Sequence, residues 1–355
     1  MFNALKQALA TLFVFDWSKF DAMAALRATT GVAVPLVIGG AVGNSGIGVF
    51  GAMGALSVGF GSFHEAAHRR VPVMVVAAAG MAASIFVGAI AGSSAVAATF
   101  AAAAWGAMSG LLAALGPAAS FVGLQAAIGL LVAAAFPAAP AVAAVRAGLV
   151  MGGGLVQIVL LLAIEPRLPV DPRAVTSKAV SSMHALRGHA QRRSPALMHA
   201  LRLAAALAAA TAIYRALALP RGSWIPVTAL LVLKPDLHET FARGLARMGG
   251  TAIGAICATV IMVAISPGAR LLVPMIVGFV WAGYAVFRTN YALFTICITC
   301  YVVFLIVLAG GAEPATAWYR IVNTIIGGSL ALVIAAIWPV TDEVLGVPTD
   351  DERLV

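Results

Sequence analysis

VPVMVVAAAGMAASIFVGAIAG, Val71 to Gly92, carries no charged residue from end to end. At 1.5 Å rise per residue, a helix of this length crosses the roughly 30 Å hydrocarbon core of a bilayer, and a helix pairs its own backbone there. Arg69 and Arg70 stand directly before it and anchor its start at a charged surface. Similar stretches fill the chain on both sides. Before a central polar linker they run Ala22 to Gly43, Gly46 to Phe63, Ser94 to Leu115, Ala118 to Phe136 and Ala141 to Ile164. Beyond it they run Leu197 to Leu219, Ser223 to Leu233, Gly244 to Ser266, Leu271 to Phe287, Asn290 to Gly310 and Ala315 to Trp338. The expected fold is an all-α integral membrane protein with about twelve transmembrane helices.

Composition agrees. With 62% hydrophobic and 10% charged residues and a mean hydropathy of +1.02, the chain is no water-soluble globule, in which about a quarter of residues would be charged. Connections as short as Asn44-Ser45 imply antiparallel helical hairpins. Threading the spans leaves only Arg146, Arg215, Arg221, Arg270 and Arg320 on one side, and the other seventeen of the 22 lysines and arginines on the other. By the positive-inside rule both termini are cytoplasmic. The net charge of +9 is this topology signal, so no nucleic-acid partner is expected.

Rare residues recur at one offset. His64-Glu65 returns as His238-Glu239, Gly80 as Gly254, Arg146 as Arg320 and Gly153-Gly154 as Gly327-Gly328, all 174 positions on; Arg27 and Arg202 are 175 apart. A tandem duplication is expected: two parallel six-helix repeats over 22-164 and 197-341, joined by a cytoplasmic linker helix over 165-196. An interfacial N-terminal helix over 1-21 precedes them and an acidic tail over 342-355 follows. The transport path is expected where the copies meet.

Several motifs carry no chemistry. Gly46-x-Gly48-x-x-Gly51 has no strand before it and is no dinucleotide site. Cys297-x-x-Cys300 on a lipid-embedded helix, with Cys257, reads as small-residue packing. The pairs Gly88 and Gly92, Gly106 and Gly110, Gly148 and Gly152, and Gly250 and Gly254 read as helix contacts. No nucleophile with a base, metal cluster or phosphate loop stands out, so neither an enzyme nor a cofactor is expected.

The second span of each copy is unusual, glycine-loaded in the first and short, closed by Lys234-Pro235, in the second. Irregular backbone at membrane depth lines a cavity, although small residues also serve close packing. Acidic residues avoid the span interiors, which leaves Asp236, His238 and Glu239 with His64 and Glu65 as proton-coupling candidates, against a plain solvated turn. Arg27, Arg202, Arg146 and Arg320 border the bundle at both mouths. They bind a carboxylate through the guanidinium fork or anchor helices at the interface.

Arg221-Gly-Ser-Trp224-Ile-Pro226-Val-Thr228, running on through Lys234-Pro235, Thr240, Arg243, Arg247, Gly250-Thr251 and Gly254, resembles the signature of the fusaric acid resistance (FUSC) family. Arg320-x-x-Asn323-Thr324-x-x-Gly327 looks like the same family's last-helix motif. In the first copy the resemblance fades. It implies a bacterial inner-membrane exporter of aromatic or other organic carboxylates, distantly related to plant aluminium-activated malate transporters. The substrate-binding set is then Arg27, Arg146, Arg202, Trp224, Thr228, Lys234, Arg243, Arg247, Arg320 and Asn323. Trp224 suits an aromatic ring, and Lys234, Arg243 and Arg247 concentrate anions at the cytoplasmic mouth. Alternatives are a passive organic-anion channel and a non-transporting subunit that docks a periplasmic adaptor. The expected partners are the small organic anion, the lipid bilayer, such an adaptor, and a second copy in a homo-oligomer.

Overall fold

The computed structural model describes residues 14–63, 67–167, 194–311 and 313–339. They form twelve α-helices and no strand. The first six are α1 (Ala22–Ala41), α2 (Ser45–Gly59), α3 (Ala67–Ala91), α4 (Ala95–Ala113), α5 (Pro117–Ala134) and α6 (Pro140–Ile164). The second six are α7 (Pro195–Ala216), α8 (Trp224–Val232), α9 (Leu237–Ile265), α10 (Ala269–Val286), α11 (Tyr291–Leu308) and α12 (Glu313–Ile337). Asp21, Asn44, Ser94, Ser194 and Asn290 each accept a first-turn backbone N–H and so fix where their helices begin.

Each apolar stretch becomes one helix, but not every helix is a full span. Ten are long and apolar enough to cross a membrane; α10 offers a shorter apolar segment, Arg270–Val286. At nine residues α8 covers about 13 Å, under half the hydrocarbon thickness. The next helix compensates. With 29 residues, α9 starts seven residues before its expected Gly244, because Asp236 caps it by accepting the Glu239 N–H at 2.6 Å. The charges of its first turns mask that start in a hydropathy reading.

Large apolar side chains point outward along the bundle, among them Val75, Phe100, Val159, Ile256, Val260 and Val333. Lipid solvates such a surface. Inside, α2 packs on α1 and α6, α3 on α5 and α6, and α4 on α5. Six helices later the partners recur, with α8 on α7 and α12, α9 on α11 and α12, and α10 on α11. A methyl added at Gly153 would strike the Gly51 carbonyl oxygen, and one at Gly327 the Ile225 carbonyl oxygen, 174 positions on in both members.

Two seams join the sets, α4 against α7 and α10 against α1. Along the first, a Cβ on Gly106 would lie 3.1 Å from Ala204 Cα, and one on Gly110 2.5 Å from Ala200 Cα. Gly88 and Gly92 meet α5 in the same way, and Gly250 and Gly254 meet α11. Gly148 and Gly152 do not fit the expectation, since nothing lies within 4 Å of either and that face of α6 is open. At the end of α7, Arg215 donates from Nη1 to Gly92 O at 2.9 Å and from Nη2 to Ala134 O at 2.6 Å. Its charge suits the carbonyl ends of α3 and α5. At the second seam the Tyr284 hydroxyl donates to Leu56 O at 2.8 Å, and its ring packs 4.7 Å from that of Phe60.

Cys297 and Cys300 are buried, and Cys300 Sγ donates to Gly254 O at 3.2 Å, in keeping with a packing role. A 3-10 turn, Trp17–Lys19, precedes α1, and Asp16 N–H donates to Thr289 O at 3.1 Å. Most of the expected interfacial N-terminal helix and linker helix, the whole acidic tail, and His64 and Glu65 lie outside the described residues.

Candidate functional site

The break after α8 organises the site. Pro235 lacks the amide hydrogen a continuing helix needs, so the chain turns irregular at Leu233, and the carbonyls freed there must find other donors. Arg202, on α7 and 1% exposed, donates from Nη1 to Pro235 O at 3.1 Å and from Nη2 to Lys234 O at 3.3 Å. Thr240 Oγ1, on α9, accepts the Lys234 N–H at 3.0 Å and lies 2.8 Å from Asp236 O. At the other end of α8, the Asn323 amide donates to Pro220 O and Arg221 O, both at 3.0 Å. That fixes a turn in which Ala218 and Arg221 hold positive φ of 48° and 53°. Arg202 and Asn323, both expected to touch substrate, thus hold the two ends of α8.

Between those ends lies a cationic cluster. Arg320, on α12 and 1% exposed, places its guanidinium carbon 4.0 Å from the centre of the Trp224 ring, while Nε and Nη1 make no hydrogen bond. Arg247, on α9 and 4% exposed, has an unpartnered Nε and is the charged group that acts on Arg320. Counted along their helices, Arg320 stands roughly 10 Å into α12 and Arg247 roughly 15 Å into α9, and these two helices pack on each other. Neither belongs to any ion pair among the described residues. Thr228, Thr251 and Thr299 are fully buried with hydroxyls that make no hydrogen bond. A buried charge without a partner costs several kcal/mol. Two guanidinium groups, an aromatic face and spare hydroxyls complement an anion with an apolar or aromatic body.

Residues 207–334 match the model of the family described as fusaric acid resistance protein-like. Over this stretch the chain is similar to that family. No curated protein and no solved structure matches the chain. The matched stretch of this fusaric acid resistance-like half holds Trp224, Thr228, Arg247, Arg320 and Asn323 together with the α8 break.

The remaining expected residues fall around this cluster. Arg247 departs from expectation: it sits inside with Arg320 and not at the mouth with Lys234 and Arg243. Arg243 packs 4.4 Å over the Tyr291 ring and pairs with Glu239 at 3.7 Å. Lys234 is half-buried; burial, with Arg243 adding and Glu239 opposing, pushes its ammonium down to about 8. Asp236 caps α9, and His238 is half-buried in the same turn.

The first half differs in charge balance. Arg27 pairs with Glu165 and donates to Ser62 Oγ at 3.2 Å, and Arg70 takes the other Glu165 oxygen at 3.2 Å. Arg146 donates to Phe136 O at 2.6 Å and lies 5.3 Å over Phe50. Phe50 and Trp224 are again 174 apart, so an arginine over a ring recurs in both halves. Sequence reasoning passed over Thr299, the Glu165 partnership, the Arg215 clamp and buried His199. Of these only His199 left a local signal, its three-residue spacing from Arg202.

Proposed function

We propose that the chain carries organic anions, aromatic carboxylates foremost, out across the bacterial inner membrane. The observation that carries this is the burial of both Arg247 and Arg320 with no ion pair to a carboxylate among the described residues. A carboxylate accepts both free N–H edges, and Trp224 offers the ring of an aromatic substrate a face. The recurring helix partners, the Gly153 and Gly327 contacts and the arginine–ring pairs support a duplicated six-helix unit. With Arg27 neutralised by Glu165, the path runs through the second half and not midway between the halves. The strong cationic bias of the face that bears the N-terminus supports cytoplasmic termini.

Flux of radiolabelled benzoate, salicylate and malate in proteoliposomes tests the reading. Saturable, protein-dependent flux lost in Arg320→Ala is expected. Equal flux in protein-free vesicles and in the variant sinks it. A passive channel is the second reading, favoured because the described carboxylates stand at helix ends. Accumulation against a gradient under an imposed pH difference excludes the channel. Docking of a periplasmic adaptor is compatible with either.

A further inference from the structure

α7 carries a titratable side chain that the site above leaves unused. His199 is 5% exposed, and its Nδ1 makes no hydrogen bond. Three residues before Arg202, it shares that residue's helical face, and Arg202 and Lys234 are the charges that act on it. Arg202 Nε is likewise buried and unpartnered. Among the described residues, the helices packed around this corner offer no counter-charge. α4, α5 and α8 contain no charged residue, and α12 has none after Arg320. Past Lys234 stand Asp236, which caps α9, His238, and Glu239 with Arg243, which face each other at 3.7 Å.

We propose that His199 binds the proton that travels with the transported anion. The inference rests on the anion-transport reading above. A proton taken from solution onto the imidazole adds a third positive charge beside Arg202 and Lys234, and both its desolvation and this repulsion oppose its binding while the corner is empty. An anion entering past Lys234 and Arg202 cancels that repulsion. Proton and anion therefore favour each other, by the same factor in both directions. The imidazole returns the proton when the anion leaves, and no covalent bond to carbon changes. A monocarboxylate and its proton leave as an electrically neutral pair, so export follows the combined acid gradient and the membrane voltage does no work on it.

Calorimetric titration of benzoate into purified full-length protein at pH 6.5, in two buffers of different ionisation heat, counts protons taken up per anion. The parent is Lys234→Arg, which keeps the charge and takes Lys234 out of proton uptake near neutrality. Proton uptake is expected in this parent, with affinity falling up to about tenfold per pH unit as pH rises. In Lys234→Arg with His199→Gln or His199→Asn, uptake vanishes and affinity stays flat between pH 6 and 8. Unchanged uptake in both histidine variants overturns the proposal, and so does benzoate binding without uptake in the parent. In either case the anion reading survives. If wild-type protein binds no benzoate, the anion reading fails and the proposal falls with it.

Discussion

The Arg320 guanidinium lies 4.0 Å from the centre of the Trp224 ring, with two of its nitrogens buried and unpartnered. A structural arginine would have spent those N–H groups on carbonyls, as Arg215 and Arg202 do. Removing the charge should therefore relieve burial cost. Arg320→Met is expected to melt at the same temperature as wild type or above it, while anion flux falls at least about tenfold, or roughly 1.4 kcal/mol. Thermal unfolding in detergent and flux on the same preparation check this; a large drop in melting temperature makes Arg320 a structural residue.

Lys234 gives a pH signature. Its ammonium is lowered to about 8 from an ordinary 10.5, so the burial cost of its charge is present in full below pH 8 and is relieved as pH climbs toward 10.5. Stability gains a rising contribution across that window, and the mouth loses a cation over the same range. In a His199→Gln background, benzoate affinity is expected to decline above pH 8 with Lys234 and to hold to about pH 9.5 with Lys234→Arg, which stays charged. Identical profiles would remove Lys234 from the path.

Glu165 serves two arginines of the first half, so Glu165→Gln strands Arg27, whose side chain is only 10% exposed. Glu165 is itself a third exposed, and solvent screening holds the loss to about 1–3 kcal/mol. Because the proposed path lies in the other half, flux per folded molecule should stay within about twofold of wild type. A loss of flux without a loss of stability would move the path back between the halves.

Glycine positions separate cleanly. Gly110→Val drives a side chain into Ala200 at the α4–α7 seam and should abolish monodisperse protein on size exclusion. Gly148→Ala faces open space and should leave melting unchanged or raise it by a helix-propensity increment of about 0.5–1 kcal/mol.

All twelve helices were legible in the sequence because apolar runs and their breaks are local properties. The shortness of α8 was equally legible, written by Lys234-Pro235. Arg247 was misplaced for the same reason. It stands only three residues into its expected span from Gly244, whereas Asp236 starts the helix seven residues earlier, so that Arg247 falls well inside it. The Glu165 partnership with Arg27 links positions far apart in the chain, and only tertiary packing brings them together. The role of Asn323 was hidden because its amide serves backbone carbonyls of a turn, which leave no trace in residue type.

At the α4–α7 seam, backbone meets backbone through Gly106 and Gly110, and Arg215 rivets the end of α7 to the carbonyl ends of α3 and α5. Surfaces in such contact cannot slide without collision, so the two halves are welded along this line. Whatever motion lets a solute through must be made away from this line, by helices that do not meet across it.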